Sequence, residues 1–343
     1  MQHYRFFCTI AAAVLLLSAC SAQKKKPEDG STRATVPNTA AEDTTAEGGA
    51  EISLKEETTS ERELPAANTG RELQSGCFYG EDTGTSQTLT GFSPLPPNPF
   101  DGALDPPERT FSKKTLEHGF GVAKNGQPHE ISLSNQRFFD ENGFNAVCLD
   151  LKTEESVLYL TFDCGYENGY TSKILDTLRD KDVKAAFFCT LPQMKENRPL
   201  IARMIKEGHI VGNHSVTHPD FSRLSREQML EEVKGFDDDL RLNFGYSALY
   251  FRFPEGKYSE DSLDMLGRMG YRCVFWSLAY VDWQTDSQKG AEYAVQTILD
   301  RLHPGAVILL HAVSKDNAEG LGDIIDGARK KGYVFRALSD LSP

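Results

Sequence analysis

A chain of 343 residues has room for one or two domains, and with 39% of its residues apolar it can bury a packed core. Its formal net charge of -13 argues against a nucleic-acid partner, because the dense basic run Lys24-Lys25-Lys26 is far too small to outweigh it.

The chain opens with Arg5 and an apolar stretch over residues 6–17 that ends in small side chains, which is the build of a secretory signal. That stretch is too short to be read as a membrane span. Leu17-Ser18-Ala19-Cys20 resembles the lipobox of bacterial lipoproteins. The resemblance implies removal of residues 1–19, acylation of Cys20, and an extracytoplasmic protein anchored to the cell membrane as a lipoprotein. An ordinary signal peptide with a chance cysteine is the alternative. Residues 20–76 are Ala, Thr, Glu, Ser and Gly with almost no aromatic side chain, which predicts a disordered acidic tether. Residues 77–117 stay rich in Pro and Gly but gain Phe and Tyr, and read as an irregular lead-in to a folded domain over 118–343. With Cys8 and Cys20 set aside, Cys77, Cys148, Cys164, Cys189 and Cys273 show no close pair and no zinc-ribbon spacing. No disulfide framework is implied, and the odd number leaves a free thiol or an intermolecular bond.

From residue 157 the pattern becomes regular. Strand-like runs at 157–162, 185–190, 209–213, 249–253, 271–279, 306–312 and 334–338 alternate with amphipathic helical runs at 171–181, 199–208, 226–244, 261–269, 290–302 and 319–331. Ser225 is a plausible N-cap, and Gly208, Gly270 and Gly332 each sit just past a helix, where a left-handed C-cap favours glycine. This alternation implies a parallel sheet, either open or closed as a barrel with one unit fewer than the usual eight.

Polar residues gather where these strands end. Asp163 and Cys164 close the first run before the glycine turn at Gly165, a place where catalytic groups collect in alternating β/α folds, although Asp163 could equally cap the next helix. His214-Ser-Val-Thr-His218 follows the third run, and two imidazoles four residues apart can share one side of a helical turn and ligate a metal; lone pairs of this spacing are more often surface or core histidines. Arg252-Phe-Pro-Glu-Gly256, Asp282-Trp283 and Leu309-Leu-His311 mark three further strand ends. Each has a packing or ion-pair explanation alone. Packing does not account for the whole set at one end of one sheet.

In this order, Thr161-Phe-Asp-Cys-Gly165, His214 to His218, Arg252 to Gly256, Asp282-Trp283 and Leu309 to His311 resemble the five motifs of the polysaccharide deacetylases, the NodB-homology carbohydrate esterases. The stretches at 166–171, 275–283 and 303–318 are similar to the delta-lactam-biosynthetic branch, which de-N-acetylates muramic acid in peptidoglycan. The likeness runs from about His118 to the C-terminus. It implies an α/β fold, a distorted (β/α)7 barrel, for the catalytic domain over 118–343. It also implies metal-dependent hydrolysis of N-acetyl groups on a peptidoglycan glycan strand; no protein partner is inferable.

The resemblance also implies roles. His214 and His218 would hold a divalent metal, zinc being favoured, Asp163 would be the general base and His311 the general acid. Arg252 would keep Asp163 ionised and Asp282 would keep His311 protonated. The Glu255 backbone N–H would help bind the oxyanion, and Trp283 with Leu309 would line the acetyl pocket. Two positions depart from the pattern. Cys164 stands where most of the family has a metal-binding aspartate, and as a thiolate it could ligate zinc. Glu255 stands where the delta-lactam branch tends to have a basic residue, and its carboxylate should repel the lactyl carboxylate of muramic acid unless Lys257 or Arg223 compensates. The alternatives are an N-acetylglucosamine or chitooligosaccharide deacetylase, and a catalytically silent wall-binding protein.

Overall fold

Val157-Leu-Tyr-Leu-Thr-Phe is apolar without alternation because the strand it forms is buried along its whole length, covered on both faces. In the computed structural model residues 92–341 are described, together with the backbone of Arg71–Leu73 and Cys77–Tyr79. The signal segment, Cys20 and the tether other than Arg71–Leu73 lie outside the described residues.

The main sheet contains β1 (Ala146–Val147), β2 (Val157–Cys164), β3 (Ala186–Cys189), β4 (Ile210–Asn213), β5 (Tyr250–Phe251), β6 (Arg272–Val274), β7 (Ala306–His311) and β8 (Val334–Arg336). All pairings are parallel, in the order β7-β2-β3-β4-β5-β6-β1. The remaining strand, β8, pairs with Val157 to Tyr159 of β2, and β3 takes over from Thr161 onward. The sheet then curls back on itself. Ser277 N donates to Val307 O at 3.0 Å and Leu309 N to Leu278 O at 2.9 Å, and Leu278 bridges Ile308 in parallel. These few bonds close the predicted distorted (β/α)7 barrel.

Eight helices are described: α1 (Glu130–Glu141), α2 (Thr171–Asp180), α3 (Leu191–Glu196), α4 (Arg198–Lys206), α5 (Arg226–Phe244), α6 (Glu260–Arg268), α7 (Ala291–Arg301) and α8 (Lys315–Lys330). Ser225 caps α5 in a reciprocal box with Gln228, and Gly208, Gly270 and Gly332 all take positive φ past their helices. Among the described residues no helix is long and apolar enough to cross a membrane.

Three sequence expectations change. The run at 271–279 is not one strand: β6 ends at Val274, and Ser277 and Leu278 turn to bond β7 instead. Helix α8 begins at Lys315, not 319, because the Ser314 side chain caps Asn317 N. Helices α1 and α3 and strand β1 were not foreseen.

The lead-in contributes to the core, with Phe92, Phe100 and Ala103 buried in it. It is tied to α5 by Leu95 N to Arg241 O at 2.9 Å and Arg241 Nε to Pro96 O at 2.6 Å. Leu116–Glu117 pairs antiparallel with Lys257–Tyr258, and His118 N donates to Gly256 O at 2.9 Å, which braces the turn carrying Glu255.

Candidate active site

Asp163 and His311 are direct neighbours in the β2–β7 ladder, so the sheet itself sets them side by side. Each is backed by a buried partner of opposite charge. Arg252, the residue directly after β5, is fully buried. Its guanidinium donates from Nη1 to Asp163 Oδ1 at 2.8 Å, from Nε to Val274 O at 2.9 Å, and from Nη2 to Thr161 Oγ1 at 2.9 Å and Phe275 O at 3.3 Å. It also lies 4.2 Å from the Phe188 ring centroid. A buried cation is tolerable only when its donors are met and a counter-charge is at hand, and both conditions hold. Burial pushes the Asp163 carboxyl up, but Arg252, His214 and His311 together hold it below the usual carboxylate range. Asp163 is therefore an anion near neutrality, in position to accept a proton.

The second pair reverses this arrangement. Asp282 is buried, and its Oδ2 accepts from His311 N at 2.8 Å and from Asn317 Nδ2 at 2.6 Å. Its Oδ1 lies 2.7 Å from His311 Nδ1. A carboxylate can only accept there, so Nδ1 carries the proton and Nε2 is left as the working nitrogen. Burial lowers the His311 pKa, and the bond and charge of Asp282 more than reverse this, so the imidazole is raised above its ordinary value. Asn317, held by Tyr280 OH at 2.6 Å, fixes Asp282 from behind.

His214 leaves the end of β4 with its N–H bonded to Cys189 O at 2.9 Å. Its Nδ1 lies 2.8 Å from Arg252 O, and since a carbonyl only accepts, Nδ1 is the donor and Nε2 carries a lone pair. Burial pulls its pKa down to about 4, which keeps the ring neutral near pH 7, the form that binds metals. The His218 ring stands 4.8 Å away, centroid to centroid, and Asp163 Oδ2 lies 3.6 Å from His214 Nε2. Among the described residues no cluster of three or more His, Cys, Asp or Glu is set to hold a metal ion. The donors present fit a divalent cation held by two imidazoles, with Asp163 adjacent and its other positions open to water or substrate.

Cys164 is not brought to this group. Successive strand residues face opposite ways, so Asp163 turns to the cavity and Cys164 turns behind it. The thiol is fully buried beside Cys189 and does not line the cavity. The expectation that it could ligate is corrected on that ground. Cys148, Cys164, Cys189 and Cys273 are all free and buried.

A cavity of about 780 Å³ opens over these groups, lined by Asp163, His214, His218, Glu255, Leu309 and His311, with Trp283 beside them. Arg252, Asp282 and Cys164 stand outside the lining, the first two directly behind Asp163 and His311. Trp283 is half-exposed with its ring 5.4 Å from His311, and Leu309 is buried. Glu255 sits in the left-handed region at φ 55°, and its Oε2 lies 2.6 Å from Lys257 Nζ. Lys257 therefore supplies the compensating cation. Arg223 pairs instead with Asp220 at 3.2 Å. Sequence reasoning missed Tyr166, Thr190 and Trp276 in the lining and Thr161 and Asn317 behind it. Thr161, Tyr166, Trp276 and Asn317 lay inside quoted motif stretches, and none carried a charge to draw attention.

A curled (β/α)7 barrel with an ionised carboxylate, a proton-bearing imidazole and two further imidazoles at its strand ends is laid out for acid–base hydrolysis. The chain matches the family model described as polysaccharide deacetylase over residues 150–274. It is 42% identical over 227 residues to the peptidoglycan-N-acetylmuramic acid deacetylase PdaA of Bacillus subtilis, covering 66% of this chain and 85% of that one. It is 30% identical over 186 residues to a peptidoglycan-N-acetylglucosamine deacetylase of Bacillus cereus, covering 53% of this chain and 66% of that one. The solved structure of Bacillus subtilis PdaA, a family 4 carbohydrate esterase, superposes with a TM-score of 0.64 at 40% identity, over 67% of this chain and 97% of that one. The chain belongs to the polysaccharide deacetylase family.

Proposed function

We propose that this protein hydrolyses the N-acetyl group of peptidoglycan amino sugars, with N-acetylmuramic acid lacking its stem peptide as the substrate. The observation that carries this reading is the pair of oppositely polarised dyads, Arg252–Asp163 and Asp282–His311, facing one cavity beside His214 and His218. Asp163 takes the proton of the attacking water, and His311 Nε2 gives a proton to the departing sugar nitrogen. His214 and His218 would hold a divalent cation, zinc suiting imidazole donors, which when bound polarises the acetyl carbonyl and acidifies the water. The Glu255 N–H assists at the oxyanion, and Leu309 with Trp283 receives the methyl group. Acetate leaves and a free amine remains. On muramic acid that amine lies beside the lactyl carboxyl of the same sugar, and their condensation, with loss of one water, closes a six-membered lactam favoured by proximity.

The Glu255–Lys257 pair bears on the choice of sugar. Lys257 offsets the Glu255 charge and leaves room for a lactyl carboxylate, whereas an unpaired carboxylate would favour N-acetylglucosamine, the substrate named for the Bacillus cereus relative. Acetate release from peptidoglycan stripped of stem peptides by an amidase, compared with intact peptidoglycan and chitooligosaccharides, decides the matter. Release from the stripped glycan alone is expected. Release from intact glycan or chitooligosaccharides points to glucosamine, and none from any of them under added zinc points to a wall-binding protein without activity.

The lipobox-like Leu17-Ser-Ala-Cys20 behind an apolar segment supports a lipoprotein on the outer face of the cell membrane, with residues 20–76 giving the domain reach to the wall. Incorporation of labelled palmitate that disappears in Cys20→Ala is the expected result.

A further inference from the structure

The loop joining the two histidines is shaped by a residue of the helix that follows it. Ser215 and His218 sit in the left-handed region at φ 72° and 60°, where side chains persist only when their surroundings over-determine them. Every backbone N–H of the loop has an acceptor. His214 N donates to Cys189 O at 2.9 Å, Ser215 N to Asn213 Oδ1 at 2.8 Å and His218 N to Ser215 Oγ at 2.9 Å. Val216 N and Thr217 N both donate to Oε2 of Glu232, at 3.0 and 2.8 Å, and the Thr217 hydroxyl donates to its Oε1 at 2.6 Å. Glu232 lies on α5, which approaches closely: a Cβ added at Gly235 would meet Val216 Cγ2 at 2.8 Å. The neighbouring Val233 O accepts from Asn213 Nδ2 at 2.9 Å, so one turn of α5 grips both the start and the middle of the loop.

We propose that Glu232 is a positioning residue that presets the His214–His218 pair for a divalent cation. This rests on the reading that those imidazoles hold the metal. Three donors converge on the Glu232 carboxylate, and it is acceptor-only, so both oxygens serve. Glutamine can keep all three contacts, its amide oxygen accepting from both N–H groups and its NH2 donating to the Thr217 hydroxyl oxygen, but alanine removes both acceptors and leaves the Val216 and Thr217 N–H groups and the Thr217 hydroxyl without their shared partner. The loop then relaxes from its left-handed turns and the imidazoles lose their mutual angle, while all metal-binding atoms remain. Affinity falls, and excess metal restores turnover.

The test compares the full-length wild type with Glu232→Ala, and with Glu231→Ala as an exposed control on the same helix. Zinc affinity is read by competition with a chromophoric chelator, site geometry by the absorption of the cobalt(II) form, and fold by the thermal midpoint of the metal-free protein. Glu232→Ala is expected to weaken zinc binding about 10–100-fold, to alter the cobalt spectrum, and to recover turnover at saturating zinc; Glu231→Ala matches the wild type. Unchanged affinity and spectrum in Glu232→Ala, even with a lowered midpoint, overturns the assignment and leaves Glu232 as packing. If Glu232→Ala does not fold, Thr217→Val, which deletes only the exposed hydroxyl donor, must show a smaller loss of affinity, and no loss overturns the assignment. A wild type that binds neither zinc nor cobalt overturns the metal reading itself, and the role of Glu232 with it.

Discussion

The two halves of the site use one device with opposite signs. At Asp163 the group facing the cavity is the anion and the buried partner is a cation; at His311 the group facing the cavity is an imidazole whose hold on its second proton is strengthened, and the buried partner is a carboxylate. In both, the partner is the more deeply buried member and is held by several further bonds, so the reacting group inherits a fixed orientation. What differs is the proton. Arg252 depresses Asp163 and leaves it empty, while Asp282 raises His311 and leaves it loaded. Environment, more than residue type, thereby assigns base and acid on adjacent strands.

The sharpest way to break the comparison is to remove the base while keeping its shape. Asp163→Asn still accepts from Arg252 but takes no proton, and kcat for acetate release should fall about 10²–10⁴-fold with an unchanged circular dichroism spectrum; activity within a few fold of wild type would place the base elsewhere. Arg252→Met attacks the same pair from behind. It leaves an uncompensated carboxylate in the interior, and denaturant unfolding should register a loss of about 3–5 kcal/mol near neutral pH. The sign with pH follows from the depressed Asp163. The stabilisation is complete above the unfolded carboxyl value, about 3.9, and fades as pH falls through the lower folded value. The wild-type margin over Arg252→Met should therefore shrink on acidification. The smallest effect belongs to the residue next door. Cys164→Ser should leave metal content and turnover within about twofold of wild type, because Cys164 faces away from the cavity that Asp163 faces. A loss of bound metal would instead bring the thiol into the site.

These contrasts also explain what the sequence disclosed. Each of the seven strand runs contains a strand, although the run at 271–279 overran β6. The runs for β2, β3, β5 and β7 were legible because a strand buried on both faces is written as a continuous apolar run, whereas β8 is largely exposed. Asp163, His214, Arg252, Asp282 and His311 stood out as polar groups placed at or just past the ends of those runs. Helix α3 was hidden by Pro192 in its first turn, although Thr190 caps it and proline is at home there. Strand β1 is two residues long and takes its identity from β6 alone. Asn317 lay inside a quoted stretch without a role, and Glu232 gave no signal: both act through hydrogen bonds to residues outside their own helices, and nothing in local composition separates a glutamate that cradles a loop from one that solvates a helix.

The most direct test of the opposed dyads is the pH dependence of kcat/KM for acetate release by the wild type and by Asp282→Asn. The wild type should stay active upward past the ordinary histidine value, about 6.5, before losing rate as His311 deprotonates. In Asp282→Asn that alkaline limb should move to lower pH while the acid limb set by Asp163 stays in place. An alkaline limb common to both proteins would contradict the assignment of His311 as the acid that Asp282 keeps loaded.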